Sequence, residues 1–364
     1  MQENADKNNK KADKTQVVKC KTCGADMYFD IATGKLRCPY CDNVEGIGAN
    51  IFELDHNVKD FDESKLRHET GTVTYQCPNC HAKTEMHGAF DTSAKCPFCG
   101  ATNILKVDDM PGLAPDAILP FKITNEVASQ NALKWLRKKL YAPGKLKKSF
   151  SPENLNSVYC PSFSFDSNTY SSYSGRLGKH YTVTVGSGEN KRTETRTRYF
   201  DVRGSYSHFF DDLLIEVSPK LNQKEFDKVG AFDTKNAVEY TAEYIAGHAS
   251  ERYDTGVNEA YVRAKAKMDE CIRSGILAKY DYDVVDYLNV NTTYNDSTFK
   301  YLLVPLWCSS FTYRQKLYNY FVNGRTGKVG GKTPLSVWKV AITVVIVSAV
   351  IIGGYFLFNY LGIA

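Results

Sequence analysis

The longest uninterrupted apolar run in the chain lies near its C-terminal end. Residues 340–358, VAITVVIVSAVIIGGYFLF, carry no charge. As a helix rising 1.5 Å per residue they reach about 28 Å, the depth of bilayer hydrocarbon. A buried helix of a soluble protein would still show a polar face, yet here only Thr343 and Ser348 break the run. Trp338 and Tyr360 stand at its two edges, where aromatic side chains settle at membrane interfaces. The pattern predicts one transmembrane tail anchor over 338–360. Ala349 and Gly353 are spaced for close approach of a second helix, so the span is compatible with an oligomer.

Upstream the period changes. A short strand at 121–123 leads into Thr124-Asn125, a helix cap. The helix runs to residue 140, with Ala128, Ala132, Trp135, Leu136 and Leu140 on one face. Strand-like segments follow at 157–173, 181–185, 193–202 and 213–217. A second helix over 257–274 carries Ala260, Ala264, Met268, Cys271 and Ile272 at helical spacing. Further strands are predicted at 281–294, 300–313 and 316–322. The 24 Tyr and 19 Phe of the chain suit a twisted antiparallel sheet with one face covered. Residues 1–16 are polar and charged, without the apolar core of a signal peptide, and read as a disordered tail.

The eleven cysteines change the picture at the N-terminal end. Cys20 and Cys23 form one Cys-x-x-Cys pair and Cys38 and Cys41 a second, with a Gly34-containing turn between them. Cys77, Cys80, Cys96 and Cys99 repeat the arrangement. Two such turns aim four thiolates at one ion, so the spacing predicts two structural Zn²⁺ ions in two zinc ribbons. With four cysteines per ion no coordination position is left for a reacting water. His81 and His87 flank the second set and read as surface residues. Cys160, Cys271 and Cys308 sit among apolar neighbours and read as reduced core thiols.

Charge narrows the choice of partner. Between Gln16 and Leu105 nine Lys or Arg face twelve Asp or Glu, and two thiolate-bound zinc ions bring that region to about −7. A nucleic-acid module needs a basic footprint instead. The ribbons therefore read as protein-docking elements, with Tyr40 and Phe98 inside the Cys-x-x-Cys turns as exposed contacts. Lys134, Arg137, Lys138, Lys139, Lys145, Lys147 and Lys148 form a basic cluster. It reads either as a solvated face or as a contact with acidic lipid or a partner. After Asp296 the sequence has no Asp or Glu, and several Lys and Arg precede the apolar run. The positive-inside rule then places the N-terminal part in the cytoplasm of a single-pass cell-membrane protein.

Catalytic patterns are missing: the sequence has neither HExxH nor GxSxG. Gly324 to Lys328 resembles a phosphate loop only faintly and reads as a hairpin turn. Asp211-Asp212 and Asp281 with Asp283 read as solvated carboxylates. The fold class is α+β: two small four-cysteine zinc ribbons, a mainly antiparallel α+β domain and one C-terminal transmembrane helix. The domains are a tail at 1–16, ribbon one at 17–45, a connector at 46–72 and ribbon two at 73–106. A linker at 107–120, the cytoplasmic domain at 121–331 and the anchor at 338–360 complete them.

Four segments carry a family likeness: CPFCG in the second ribbon, YCPSFSFDS from Tyr159, EYIAGHASERYD from Glu243, and YLLVPLWCSSFTYRQKLYNYFVNGRTGKVGGKTPLS from Tyr301. Together they resemble a bacterial family of membrane-anchored zinc-ribbon proteins. Its members carry a transcription-factor-IIB-type ribbon, or one described as similar to the zinc region of the primosomal helicase. No helicase motor motif accompanies it here. The resemblance implies a link to membrane stress, with stomatin-like or phage-shock-type membrane proteins as partners beside the lipid bilayer. The combined expectation is a non-enzymatic, tail-anchored adaptor that recruits proteins to the membrane. A membrane-tethered nucleic-acid-binding ribbon is the alternative.

Overall fold

The computed structural model describes residues 18–48, 55–62, 73–79, 81–86, 96–99, 101, 105–107, 113–152, 155–188, 191–218, 221 and 223–360. The expected tail at 1–16 lies outside the described residues, as do Cys80, His87 and parts of the connector and linker. The architecture is α+β and mainly antiparallel. Among the described residues β1 (Tyr28–Asp30), β2 (Lys35–Arg37) and β3 (Val44–Glu45) form a three-stranded sheet around the first cysteine cluster. Among the described residues a second sheet has twelve strands. It takes in β4 (His56–Asn57), β5 (Val73–Gln76), β6 (Lys83–Met86), β7 (Leu105–Val107) and β8 (Ala117–Ile118).

The body of that sheet is made by β9 (Asn156–Val185), β10 (Arg192–Glu216) and β13 (Val284–Tyr313), with β11 (Val238–Glu239) and β12 (Ala249–Glu251) between them in sequence. β9 pairs antiparallel with β10 on one side and with β13 on the other. Where the sequence pattern predicts breaks, the strands run through. Around Phe210/Leu213 and Asn295/Thr298 the register shifts by a bulge, and Asp212 and Asp296 absorb it with φ of 55° and 49°. Gly175 is no turn either. A Cβ there would lie 2.7 Å from the Tyr287 carbonyl oxygen and 2.8 Å from Leu288 Cδ1, so glycine marks close strand approach.

Helix α5 (Val257–Leu277) covers the inner face of these strands with Val257, Ala260, Ala264, Met268, Ile272 and Ile276. The three- and four-residue spacing is the one read from the sequence, but Cys271 falls outside it. That thiol is exposed, whereas Cys160 and Cys308 are buried as expected. The helices α1 (Asn125–Lys138) and α2 (Gly144–Ser149) form an elbow whose Leu136, Ala142 and Leu146 pack together. Leu140, expected on the buried face, lies beyond the end of α1 and is exposed. The shorter helices α3 (Gln223–Lys228) and α4 (Ala242–Ile245) lie before β11 and β12 respectively.

Segments expected to connect domains join the sheet. β4 pairs with β13, and Val58 beside it is buried in the main core. β8, inside the expected linker, pairs in parallel with β13 and antiparallel with β11. β14 (Lys316–Asn323) and β15 (Val329–Gly331) close the sheet as a hairpin. Its turn is the glycine-rich 324–328 segment, in which Asn323 Oδ1 accepts from the Arg325 and Thr326 amides at 2.8 and 3.0 Å. Helix α6 (Val337–Tyr360) follows.

Candidate metal centres

Each cysteine turn is built by the same backbone device. The amide of Cys20 donates to the Ala25 carbonyl at 2.7 Å, Cys38 to Asn43 at 2.9 Å, Cys77 to Ala82 at 2.9 Å and Cys96 to Ala101 at 2.7 Å. Four residues after the first cysteine the chain turns left-handed, at Gly24, Asp42 and His81 with φ of 74°, 56° and 59°. Their amides donate back to the carbonyls of Cys20, Cys38 and Cys77. Glycine and aspartate tolerate that conformation best. Cys80 lies outside the described residues, but the turn that begins at Cys77 repeats the geometry of the Cys20 and Cys38 turns. His81 is exposed, as expected.

In the first cluster the Sγ atoms of Cys20, Cys23, Cys38 and Cys41 all lie within 4.8 Å of one another. The Cys20–Cys41 and Cys23–Cys38 separations are 3.5 and 3.4 Å. The edge of a tetrahedral zinc–thiolate site is about 3.8 Å, so the four donors could hold a metal ion of that size. Cys77, Cys96 and Cys99 form the second group, with Cys77 and Cys99 Sγ 3.6 Å apart. Side-chain amides support both groups from outside. Asn43 Nδ2 donates to Cys20 Sγ at 3.7 Å and Asn79 Nδ2 to Cys99 Sγ at 3.6 Å.

The thiols of the first cluster divide unequally. Burial opposes ionisation of Cys20, but the amides of Cys23 and Thr22 and the Cys41 thiol outweigh it and bring Cys20 down to about 6. Cys41 goes the other way. The Asn43 amide favours its thiolate, yet burial and the thiols of Cys23, Cys20 and Cys38 together push it up to about 12. Cys38 is lowered with Cys20 and Cys23 is raised with Cys41, so part of the negative charge is readily held there and the rest is resisted. A divalent cation removes that resistance.

The two clusters differ in setting. The first protrudes: Cys23 and Cys41 are exposed, and Tyr40 is 82% exposed. It is fixed to the body through Phe29, whose amide donates to the Ala246 carbonyl at 2.9 Å. The Phe29 ring packs edge-on to Tyr244 and His248. The second cluster belongs to the large sheet. β6 pairs with β5 and β12, and Cys77, Cys96 and Phe98 share a core with Val158, Leu302 and Val304. Phe98, expected as an exposed contact, is only 4% exposed. The sheet gives it the apolar cover that an isolated ribbon lacks.

The chain is 30% identical over 333 residues to the uncharacterized protein YdjG of Bacillus subtilis (strain 168), an alignment covering 89% of this chain and 91% of that protein. The chain belongs to the YdjG family. No family model matches it, and no solved structure matches it. An alignment of that reach cannot be confined to a cysteine cluster, so YdjG kinship extends through the long-stranded sheet.

Two features of this YdjG-family chain lie away from the cysteines. Asp166, Asp211 and Asp212 approach closely enough to hold an ion. Lys300 lies beside that group, 2.6 Å from Asp212 and 3.7 Å from Asp55, and Lys235 lies 3.9 Å from Asp211. Burial, with Asp212 and Asp55 adding, raises Asp166 to about 6 against the Asp212 amide and Lys300. Asp281 and Asp283 are likewise engaged by Lys179. The second feature is His248, buried between Phe29, Phe121 and Tyr159. Burial pushes it down to about 4. Sequence periodicity gave no signal for it, because α4 and β12, which flank it, are too short to show a period.

α6 is long and apolar enough to cross a membrane. Its described side chains from Val344 to Phe356 are exposed rather than packed against the sheet, unlike a core helix of similar composition.

Proposed function

We propose that this chain is a non-enzymatic, membrane-anchored scaffold, held by two structural zinc ions, whose protruding first ribbon recruits a protein partner. α6 serves as the anchor. The basic residues that precede it favour an orientation with the sheet and both ribbons in the cytoplasm, where thiols stay reduced and metal-competent. Zinc suits four-thiolate sites of this size, and four thiolates per ion leave it no open position for chemistry. Lysines pair with Asp212, Asp281 and Asp283, which favours a structural role for these carboxylates.

One contrast carries the reading. Tyr40 stands 82% exposed on a ribbon fixed to the body by Phe29, while the apolar helix at the other end is left uncovered by the described residues. An aromatic held out on a rigid, metal-tied turn is suited to contact. Anchoring raises its effective concentration toward a partner on the same membrane.

Crosslinked recovery from membranes tests this with the full chain and Tyr40→Ser. The variant should keep its metal and its membrane fraction and lose the partner. Unchanged recovery with metal intact would move docking to another surface. Full-length protein washed off membranes by carbonate would remove the anchor.

A further inference from the structure

The basic cluster of α1 and α2 has a position that the sequence does not disclose. Lys134, Arg137, Lys138, Lys139, Lys145 and Lys148 are exposed on the elbow. The elbow is tied to the first turn of α6. The Ser336 amide donates to the Tyr141 carbonyl at 2.8 Å, and Lys339 Nζ donates to the carbonyls of Leu140 and Ala142 at 3.1 and 2.8 Å. The cluster therefore sits at the level where the apolar helix begins.

Two further observations converge there. Leu140 is 67% exposed and Trp338 is 80% exposed, so apolar side chains project beside the charges. The two segments that meet, 127–152 and 297–364, contain no Asp or Glu. Among the described residues the six basic side chains have no ion-pair partner; Lys139 instead lies over the Trp135 ring at 5.3 Å.

We propose that the α1–α2 elbow and the first turn of α6 form one interfacial surface that binds anionic phospholipid headgroups. The proposal rests on α6 being a membrane anchor. The charges meet lipid phosphates while Leu140 and Trp338 enter the boundary beneath them. A nucleic acid would match the charge but offers no apolar phase for Leu140 and Trp338, so the surface fits a bilayer better. Each basic side chain near an anionic surface is worth roughly fivefold in local partitioning. The elbow would thereby fix the orientation of the sheet on the membrane, which a single helix leaves free to rotate.

The test uses the full chain in nanodiscs of phosphatidylcholine alone or mixed with phosphatidylglycerol, with hydrogen exchange followed over 134–148. Exchange should slow severalfold in the anionic discs, and high salt should reverse it. Arg137→Gln, Lys138→Gln, Lys145→Gln and Lys148→Gln combined should abolish the difference while leaving exchange in α5 unchanged. Equal exchange in both lipids, with the chain embedded in both, overturns the headgroup surface and leaves the anchor standing. A chain that enters neither disc overturns both. Slowing in neutral discs on adding a DNA or RNA oligonucleotide, without a response to anionic lipid, overturns the lipid assignment in favour of nucleic acid.

Discussion

Single residues carry consequences that can be measured. Glu216 is buried, and burial with Glu251 nearby outweighs the Ser218 amide and Arg263 to raise it to about 9 from an ordinary value of 4.5. The folded chain thus keeps a proton that the unfolded chain releases. Stability is unimpaired below the ordinary carboxylate range and falls as pH rises toward 9, by at most about 1.4 kcal/mol per unit. Glu216→Gln should flatten that slope and raise the melting temperature of detergent-solubilised protein at pH 8 relative to the parent. A mutant that melts lower at every pH would show that the carboxylate is needed for packing. Gly175→Ala drives a methyl into the Tyr287 carbonyl and Leu288, and should cost about 1–3 kcal/mol, read as a lowered melting temperature. Some residues were legible in the sequence and some were not. The cysteine turns were, because metal geometry imposes a fixed spacing. The exposure of Cys271 was not, because an apolar neighbourhood in sequence does not say which side of a helix a thiol occupies.

At the scale of elements, four turns of one design sit in two different settings. The first cysteine of each turn, Cys20, Cys38, Cys77 or Cys96, is buried, but Cys23 and Cys41 face solvent whereas their counterpart Cys99 is half-buried against the sheet core. Metal analysis should return about two equivalents of zinc per chain, and Cys38→Ser about one. Chelator should withdraw the two ions in separate phases, the first ribbon fast and the second slow. Cys38→Ser should remove the fast phase alone. A single phase in the parent chain would mean that the settings do not control access. The cysteine clusters were readable from their spacing, but their relation to the rest was not. Two-residue strands such as β8 and β4 have no period to detect, so the residues around Pro115 and Pro120 looked like a linker. The sheet partners that order them lie far along the chain, and no local pattern reports a partner.

At the scale of the molecule, the long strands were seen only as fragments. Gly175, Gly204 and the Asp-rich bulges carry turn chemistry, and tertiary pairing overrode it. The outcome places β13, the strand with the most neighbours among the described residues, late in the chain. It pairs with β4, β8, β9 and β14, and Asn156 must wait for Cys308 as its partner. Everything up to β12 therefore leaves the ribosome with open strand edges. At ordinary elongation rates the thirty residues of β13 take roughly 2–6 seconds to synthesise. Through that interval β9, paired with β10 along one edge, offers its other edge as an open template. Such edges are what holdase chaperones shield and what other nascent chains adhere to, so the yield of this protein in a cell should be set by the pace of translation through that strand.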